Sequence, residues 1–172
     1  NIVIYNFIYT PLKQKTTFAV LPGGPVGALP PLIGWTAAGG NLSDPAILYL
    51  ATLLFLWQIP HFWLLVIKHG KEYEKAGFKS ISRQLDEKQI KRLVFFWILL
   101  SSIFLASYPI FGLQLQIVVG ILVFVLNVLF ILAFYWFLFR VKDQSKIKVA
   151  FILTNVFLVV ILLLFVIDSL LT

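Results

Sequence analysis

The chain has 172 residues, 60% of them apolar and only 12% charged, with a formal net charge of +7 and no cysteine; its mean hydropathy is +0.97. So little polar material cannot cover a soluble fold, and disordered, collagenous and disulfide-scaffold classes fall away for want of polarity, a glycine period and cysteine. What remains is an integral membrane protein without thiolate chemistry, Fe–S clusters or thiolate zinc.

The opening Asn1-Ile2-Val3-Ile4-Tyr5-Asn6-Phe7-Ile8-Tyr9 is apolar from its first residue, and the chain contains no Met. It lacks the basic start and small-residue cleavage site of a signal peptide. It reads as the last turns of a membrane helix that began upstream, so the chain is expected to be the C-terminal part of a longer protein. Five stretches long enough to cross a bilayer follow: about 17–38, 45–67, 93–111, 115–139 and 147–167. About 20 apolar residues span the hydrocarbon core as a helix, and continuous apolar runs without alternation exclude a barrel. The fold class is therefore an all-α transmembrane bundle, one domain with five full spans plus the end of a sixth.

The span at 17–38 carries Pro22, Pro25, Pro30 and Pro31 with Gly23, Gly24, Gly27 and Gly34. Gly23 with Gly27, and Gly24 with Ala28, form small-xxx-small pairs that permit close helix packing. Broken backbone at membrane depth is tolerated where it is buried in protein or lines a cavity, so close packing and a cavity wall both fit. In the next span, Gln58, His61, Leu65, Lys68 and His69 fall on one helical face, with His61 about 9 Å from the helix end at 1.5 Å per residue. Polar groups there are costly against lipid, so this face should look into the bundle or a wet cavity, with a structural and a chemical role both open for His61. Ser101, Ser102, Asn127 and Asn155 need only hydrogen bonds between helices, and the Phe and Trp content only packing and interface anchoring.

Between the second and third spans runs a loop, 68–92, with eight Lys and Arg against Glu72, Glu74, Asp86 and Glu87. A solvated surface loop and a functional loop both fit. Asp86 and Glu87 suit the positive start of the following helix, and Glu87 with Lys91 makes an i,i+4 pair. All 14 Lys and Arg lie in three segments: Lys13 and Lys15, Lys68 to Arg92, and Arg140 to Lys148. The connections 39–44 and 112–114 and the tail 168–172 hold none. This alternation places the basic segments in the cytoplasm and the C-terminus outside, in a bacterial-type inner membrane. It also accounts for the net charge without any nucleic acid. A ring of cations around few carboxylates suits an anionic ligand that carries a divalent metal, such as a diphosphate.

Several blocks together resemble the protoheme IX farnesyltransferase (heme O synthase) family of UbiA-like intramembrane prenyltransferases. They are Tyr9-Thr10-Pro11-Leu12-Lys13, Gly23-Gly24, Gly27-Ala28-Leu29-Pro30-Pro31-Leu32-Ile33-Gly34-Trp35, Trp57-Gln58-Ile59-Pro60-His61-Phe62-Trp63 and Glu72-Tyr73-Glu74-Lys75-Ala76-Gly77. The resemblance implies a nine-helix fold of which this chain is the second part, inactive alone because one of two carboxylate motifs lies upstream. It implies transfer of a farnesyl group from farnesyl diphosphate to a vinyl of heme b, giving heme O, with Mg²⁺ on the diphosphate. It implies Glu72 and Lys13 as catalytic residues, Glu72 as the metal ligand, and Lys13, Lys15, Lys68 and Lys71 around the diphosphate. Gln58, His61, Tyr73 and Tyr9 would line the acceptor cavity. Glu72 stands where the family commonly has Asp, and Lys79 where many relatives have Pro. Beyond the bilayer and the two substrates, heme A synthase or oxidase-assembly factors are the implied partners. A prenyltransferase with a quinone-precursor acceptor and a non-catalytic transporter or assembly subunit are the rival readings.

Overall fold

In a computed structural model, residues 2–68, 85–140 and 146–171 are described. Among them there is no strand. The helices are α1 (Thr10–Lys15), α2 (Val20–Gly23), α3 (Pro25–Ala37), α4 (Pro45–Lys68), α5 (Glu87–Ala106), α6 (Ile117–Tyr135) and α7 (Lys146–Leu171). A π-helical segment, Ile4–Tyr9, runs into α1, and a second, Trp136–Arg140, extends α6. Four helical segments among the described residues are long and apolar enough to cross a membrane: Pro45–Leu65, Lys88–Ala106, Ile117–Arg140 and Lys148–Leu171. The protein is a multi-pass, all-α membrane protein.

The stretch expected to form one span at 17–38 is instead subdivided. A 3₁₀ turn over Thr17–Ala19 leads into α2, and α3 starts afresh after Gly24. Pro25 at the first position of α3 lacks the N–H that would continue the ladder across Gly24, which explains the division. The later helix ends also shift. Helix α5 stops at Ala106, a 3₁₀ turn occupies Tyr108–Phe111, and Gly112 closes it at φ +74°, where a side chain would be strained. Helix α7 runs four residues past the expected 167, so Asp168 is no part of a solvated tail.

The helix starts follow from their capping residues. Asp44 Oδ1 accepts from the Ala46 N–H at 2.8 Å, directly ahead of Pro45. Asp86 Oδ1 accepts from the Gln89 N–H at 2.7 Å while Gln89 Oε1 accepts from the Asp86 N–H at 2.8 Å, a reciprocal box that starts α5. The expected Glu87–Lys91 pair involves a Glu87 side chain outside those described. Gln116 opens α6, and its N–H donates at 2.9 Å to Asp168 Oδ1, on a residue only 5% exposed. Asp168 thus places a carboxylate from α7 on the positive end of α6.

Helix α4 is the hub, packing against α2, α3, α5 and α7. One core cluster joins Ile59, Trp63 and Leu64 of α4 to Val20, to Ile90, Val94 and Ile98 of α5, to Phe130, Phe134 and Leu138, and to Ala150 of α7. A second joins Tyr49 and Leu53 to Leu105, Val119, Val123 and Ile161. The late half of α4 meets the early halves of α5 and α7, so successive spans alternate in direction. Lys68, Lys88, Arg140 and Lys148 therefore gather at one end of the bundle.

Polar cross-links between spans are few. Tyr49 Oη donates to the Leu105 carbonyl at 2.7 Å, Trp57 Nε1 to the Thr154 carbonyl at 3.0 Å, and Asn127 Nδ2 to the Ser102 carbonyl at 2.9 Å. Of the four polar residues expected to bond between helices, only the Asn127–Ser102 contact does so. Asn155 Nδ2 and Ser101 Oγ donate to carbonyls four residues back in their own helices, and Ser102 Oγ has no partner. In apolar surroundings, a polar side chain on a helix is satisfied most cheaply by its own preceding turn.

Replacing Asp168 by Ala removes the carboxylate that accepts from the Gln116 N–H at the start of α6. The expected loss is about 0.5–2 kcal/mol, read as a lowered thermal unfolding midpoint of the native protein in mild detergent. An unchanged midpoint would show that the α6–α7 staple contributes nothing.

Candidate functional site

The residues singled out from the sequence divide into two groups. Tyr9, Lys13, Lys15, Gln58 and His61 lie in the described structure. Lys71, Glu72 and Tyr73 lie outside the described residues, as does the side chain of Lys68.

The first group is assembled by a chain reversal. Thr10 N–H bonds back to the Tyr5 carbonyl at the end of the π-helical segment, which sets Tyr9 at the entry to α1. At the other end of α1, Thr16 is extended, at φ −146° and ψ 147°, and its Oγ1 accepts from the Phe18 N–H at 3.2 Å. The turn brings Phe18 edge-on to Trp63, with ring centroids 6.3 Å apart. Lys13 and Lys15 in the last turn of α1 are therefore carried to the late end of α4.

From Lys13 a contiguous path of side chains leads into the bundle. Its Nζ stands 5.6 Å from the Tyr9 ring centroid, within cation–π range. Tyr9 is 6.1 Å from Phe62, and Phe62 is 5.8 Å, edge-on, from His61. His61 in turn lies 4.8 Å from Trp57 and 4.7 Å from Phe151 of α7. Gln58 meets α3 instead: a Cβ on Gly27 would collide with its carboxamide. Likewise a Cβ on Gly23 would lie 2.6 Å from the Tyr9 ring. The glycines therefore seat Tyr9 and Gln58, which is the close packing that the small-residue pairs allow.

The polar strip of α4 thus runs between its contacts with α3 and α7. His61 Nδ1 and Gln58 Oε1 are buried there without a hydrogen-bond partner, and so is Trp63 Nε1. A buried polar atom left unpaired costs about 1–3 kcal/mol. Two such atoms, three residues apart on α4, are therefore polar groups that the described residues leave unpaired. Phe62 and Phe151 were not singled out from the sequence. Phe62 stood within the Pro-His-Phe-Trp block and could have been found there, whereas nothing local marks Phe151 among the many aromatics of the spans.

The implied divalent metal finds no ligand set in this part of the site. Among the described residues there is no group of three or more His, Cys, Asp or Glu placed to hold an ion. What the described residues supply is cations, aromatic faces and two orphaned polar atoms.

The model of the UbiA prenyltransferase family matches residues 1–165. The chain is 38% identical over 112 residues to the protoheme IX farnesyltransferase of Nitratidesulfovibrio vulgaris strain DP4, covering 65% of this chain and 39% of that protein. It is 52% identical over 73 residues to that of Geobacter sulfurreducens, covering 42% and 27%. Against the mitochondrial protoheme IX farnesyltransferase of Yarrowia lipolytica the figures are 47% over 78 residues, 45% and 17%. In each case the match spans less than two-fifths of the relative's length. No solved structure matches. With the family model covering nearly its whole length, over a helical membrane bundle that gathers cations at one end, this chain belongs to the UbiA prenyltransferase family.

Proposed function

We propose that this chain forms the second part of a heme farnesyltransferase, which transfers the farnesyl group of farnesyl diphosphate to a vinyl of heme b to give heme O. The observation that carries the reading is the continuous path Lys13–Tyr9–Phe62–His61 above the orphaned Gln58 Oε1 and His61 Nδ1. The likeness to relatives named protoheme IX farnesyltransferase supports the acceptor over a quinone precursor or a non-catalytic role.

In the reaction, the allylic C–O bond of farnesyl diphosphate breaks and inorganic diphosphate leaves. The vinyl carbon attacks the allylic cation, and addition of water gives the hydroxyethylfarnesyl group. Lys13 and Lys15, with Lys68 and Lys71 by resemblance, stabilise the departing anion. The ring faces of Tyr9 and Phe62 shelter positive charge on the farnesyl carbon from water. Gln58 and His61 hydrogen-bond polar edges of the acceptor, and Tyr73, by resemblance, would line the acceptor cavity with them. Bound on the diphosphate through Glu72, Mg²⁺ would neutralise charge on the leaving group. The described residues do not complete its ligand set.

The basic end faces the cytoplasm in this reading, in a bacterial-type inner membrane. These 172 residues contain no cysteine, so the orientation is testable in the whole protein cleared of any other. Single cysteines at Lys15 and Lys88 should react with a membrane-impermeant maleimide only in inside-out vesicles, and one at Leu42 only in right-side-out vesicles. Reversed labelling would overturn the orientation.

In the whole protein, Lys13→Ala or Glu72→Gln should lower heme O formation about 10²–10³-fold, as removal of one transition-state charge partner does, while the protein still accumulates in the membrane. Heme O unchanged in both variants would remove the catalytic reading. Loss of a prenylated quinone precursor with heme O intact would transfer it to the other acceptor.

A further inference from the structure

At the basic end of the bundle, on α5 and the end of α6, lies a second feature that the proposed reaction does not use. A groove of about 640 Å³ is lined by Asp86, Lys88, Lys91, Arg92, Leu138 and Phe139. Three of these six residues are cationic and one is acidic. The acid is already engaged, since Asp86 Oδ1 accepts from the Gln89 N–H in the α5 cap. Lys88 and Arg92 are exposed, one helical turn apart, and Arg140 ends the neighbouring segment.

The floor is as distinctive as the rim. It is apolar, formed by Leu138 and Phe139, and Phe139 is held in a triangle of rings with Phe95 and Tyr135, with centroid separations of 6.0, 5.5 and 5.4 Å. Beside them Phe96, Leu132 and Trp136 are more than half exposed, at 57%, 58% and 52%, on segments long and apolar enough to cross a membrane. Cations at a span end above tyrosine and tryptophan place this groove at the depth of lipid head groups.

We propose that this groove is a binding site for an anionic glycerophospholipid, its phosphate held by Lys88, Lys91 and Arg92 and its acyl chains lying along Phe139, Leu132 and Phe96. A soluble phosphate would use the cations and leave the aromatic floor unexplained. A zwitterionic lipid would use the floor and bring its own cation against the rim. Only an anionic amphiphile satisfies both halves. The site lies on α5 and α6, away from the Lys13–His61 path on α1 and α4, so it does not depend on the nature of the prenyl acceptor.

The test is native mass spectrometry of the whole protein, extracted in mild detergent and titrated with phosphatidylglycerol or phosphatidylcholine. Phosphatidylglycerol adducts should form preferentially. Lys88→Gln/Arg92→Gln should weaken them about tenfold or more, with phosphatidylcholine adducts and the unfolding midpoint unchanged. The charge-keeping pair Lys88→Arg/Arg92→Lys should bind as the parent does, which separates lost charge from lost fold. Equal binding of the two lipids, or full phosphatidylglycerol binding by the Gln pair, would overturn the proposal. Displacement by millimolar inorganic phosphate would assign the cations to a soluble anion, and displacement by farnesyl diphosphate would assign them to the substrate; either result overturns it as well.

Discussion

Every polar group that enters the bilayer core must find its partner inside the protein, and α4 concentrates that requirement. It carries Pro60, which withdraws an N–H from the ladder, together with Tyr49, Trp57, Gln58, His61 and Trp63. Tyr49 and Trp57 meet the requirement outward, by donating to carbonyls of α5 and α7. Those two bonds fix α4 against both neighbours, and the aromatic and aliphatic clusters fill in around them. Gln58, His61 and Trp63 leave the requirement unmet at one atom each. A helix pinned this firmly on two sides can hold orphaned atoms at one end without collapsing onto them.

The glycines of α2 and α3 complete the arrangement. Two membrane helices can approach closely through small residues, but here the space goes to side chains. Gly23 receives the Tyr9 ring, Gly24 the Phe55 ring and Gly27 the Gln58 carboxamide. Packing and site construction are therefore one event. The residues that let α3 lie against α4 also determine where Tyr9 and Gln58 stand. The prolines matter for the same reason, since Pro25 restarts the helix just where these side chains enter.

The bundle's charge asymmetry has a simple origin in the alternation of span direction. Antiparallel neighbours bring the end of α4, the start of α5, the end of α6 and the start of α7 to one face, with α1 folded back beside them. Cations that are scattered in sequence become one electropositive rim. That rim serves two distinct neighbourhoods. One is the α1–α4 corner with its aromatic path inward, and the other is the α5–α6 groove with its aromatic floor facing lipid.

Membrane class, helical fold, alternation of basic and non-basic connections and the turning of Gln58 and His61 away from lipid were legible in the sequence, because each rests on composition or on spacing along one helix. The division of residues 17–38, the burial of Asp168 and the intrahelical bonding of Asn155 were not. Each depends on which partner a residue meets once the helices are packed. Asp168 is only the first residue of a tail without Lys or Arg until the start of α6 is set beside it, and only then is it a cap. Phe151 reads as one aromatic among many until α7 lies against His61. The sequence by itself determined that the chain lies in a bilayer as helices and how its charges alternate, since hydrophobic transfer and loop charge are sums over local residues. Which polar atoms are satisfied and which are left unpaired was decided by tertiary structure alone, because satisfaction across the bundle is a relation between atoms distant along the chain.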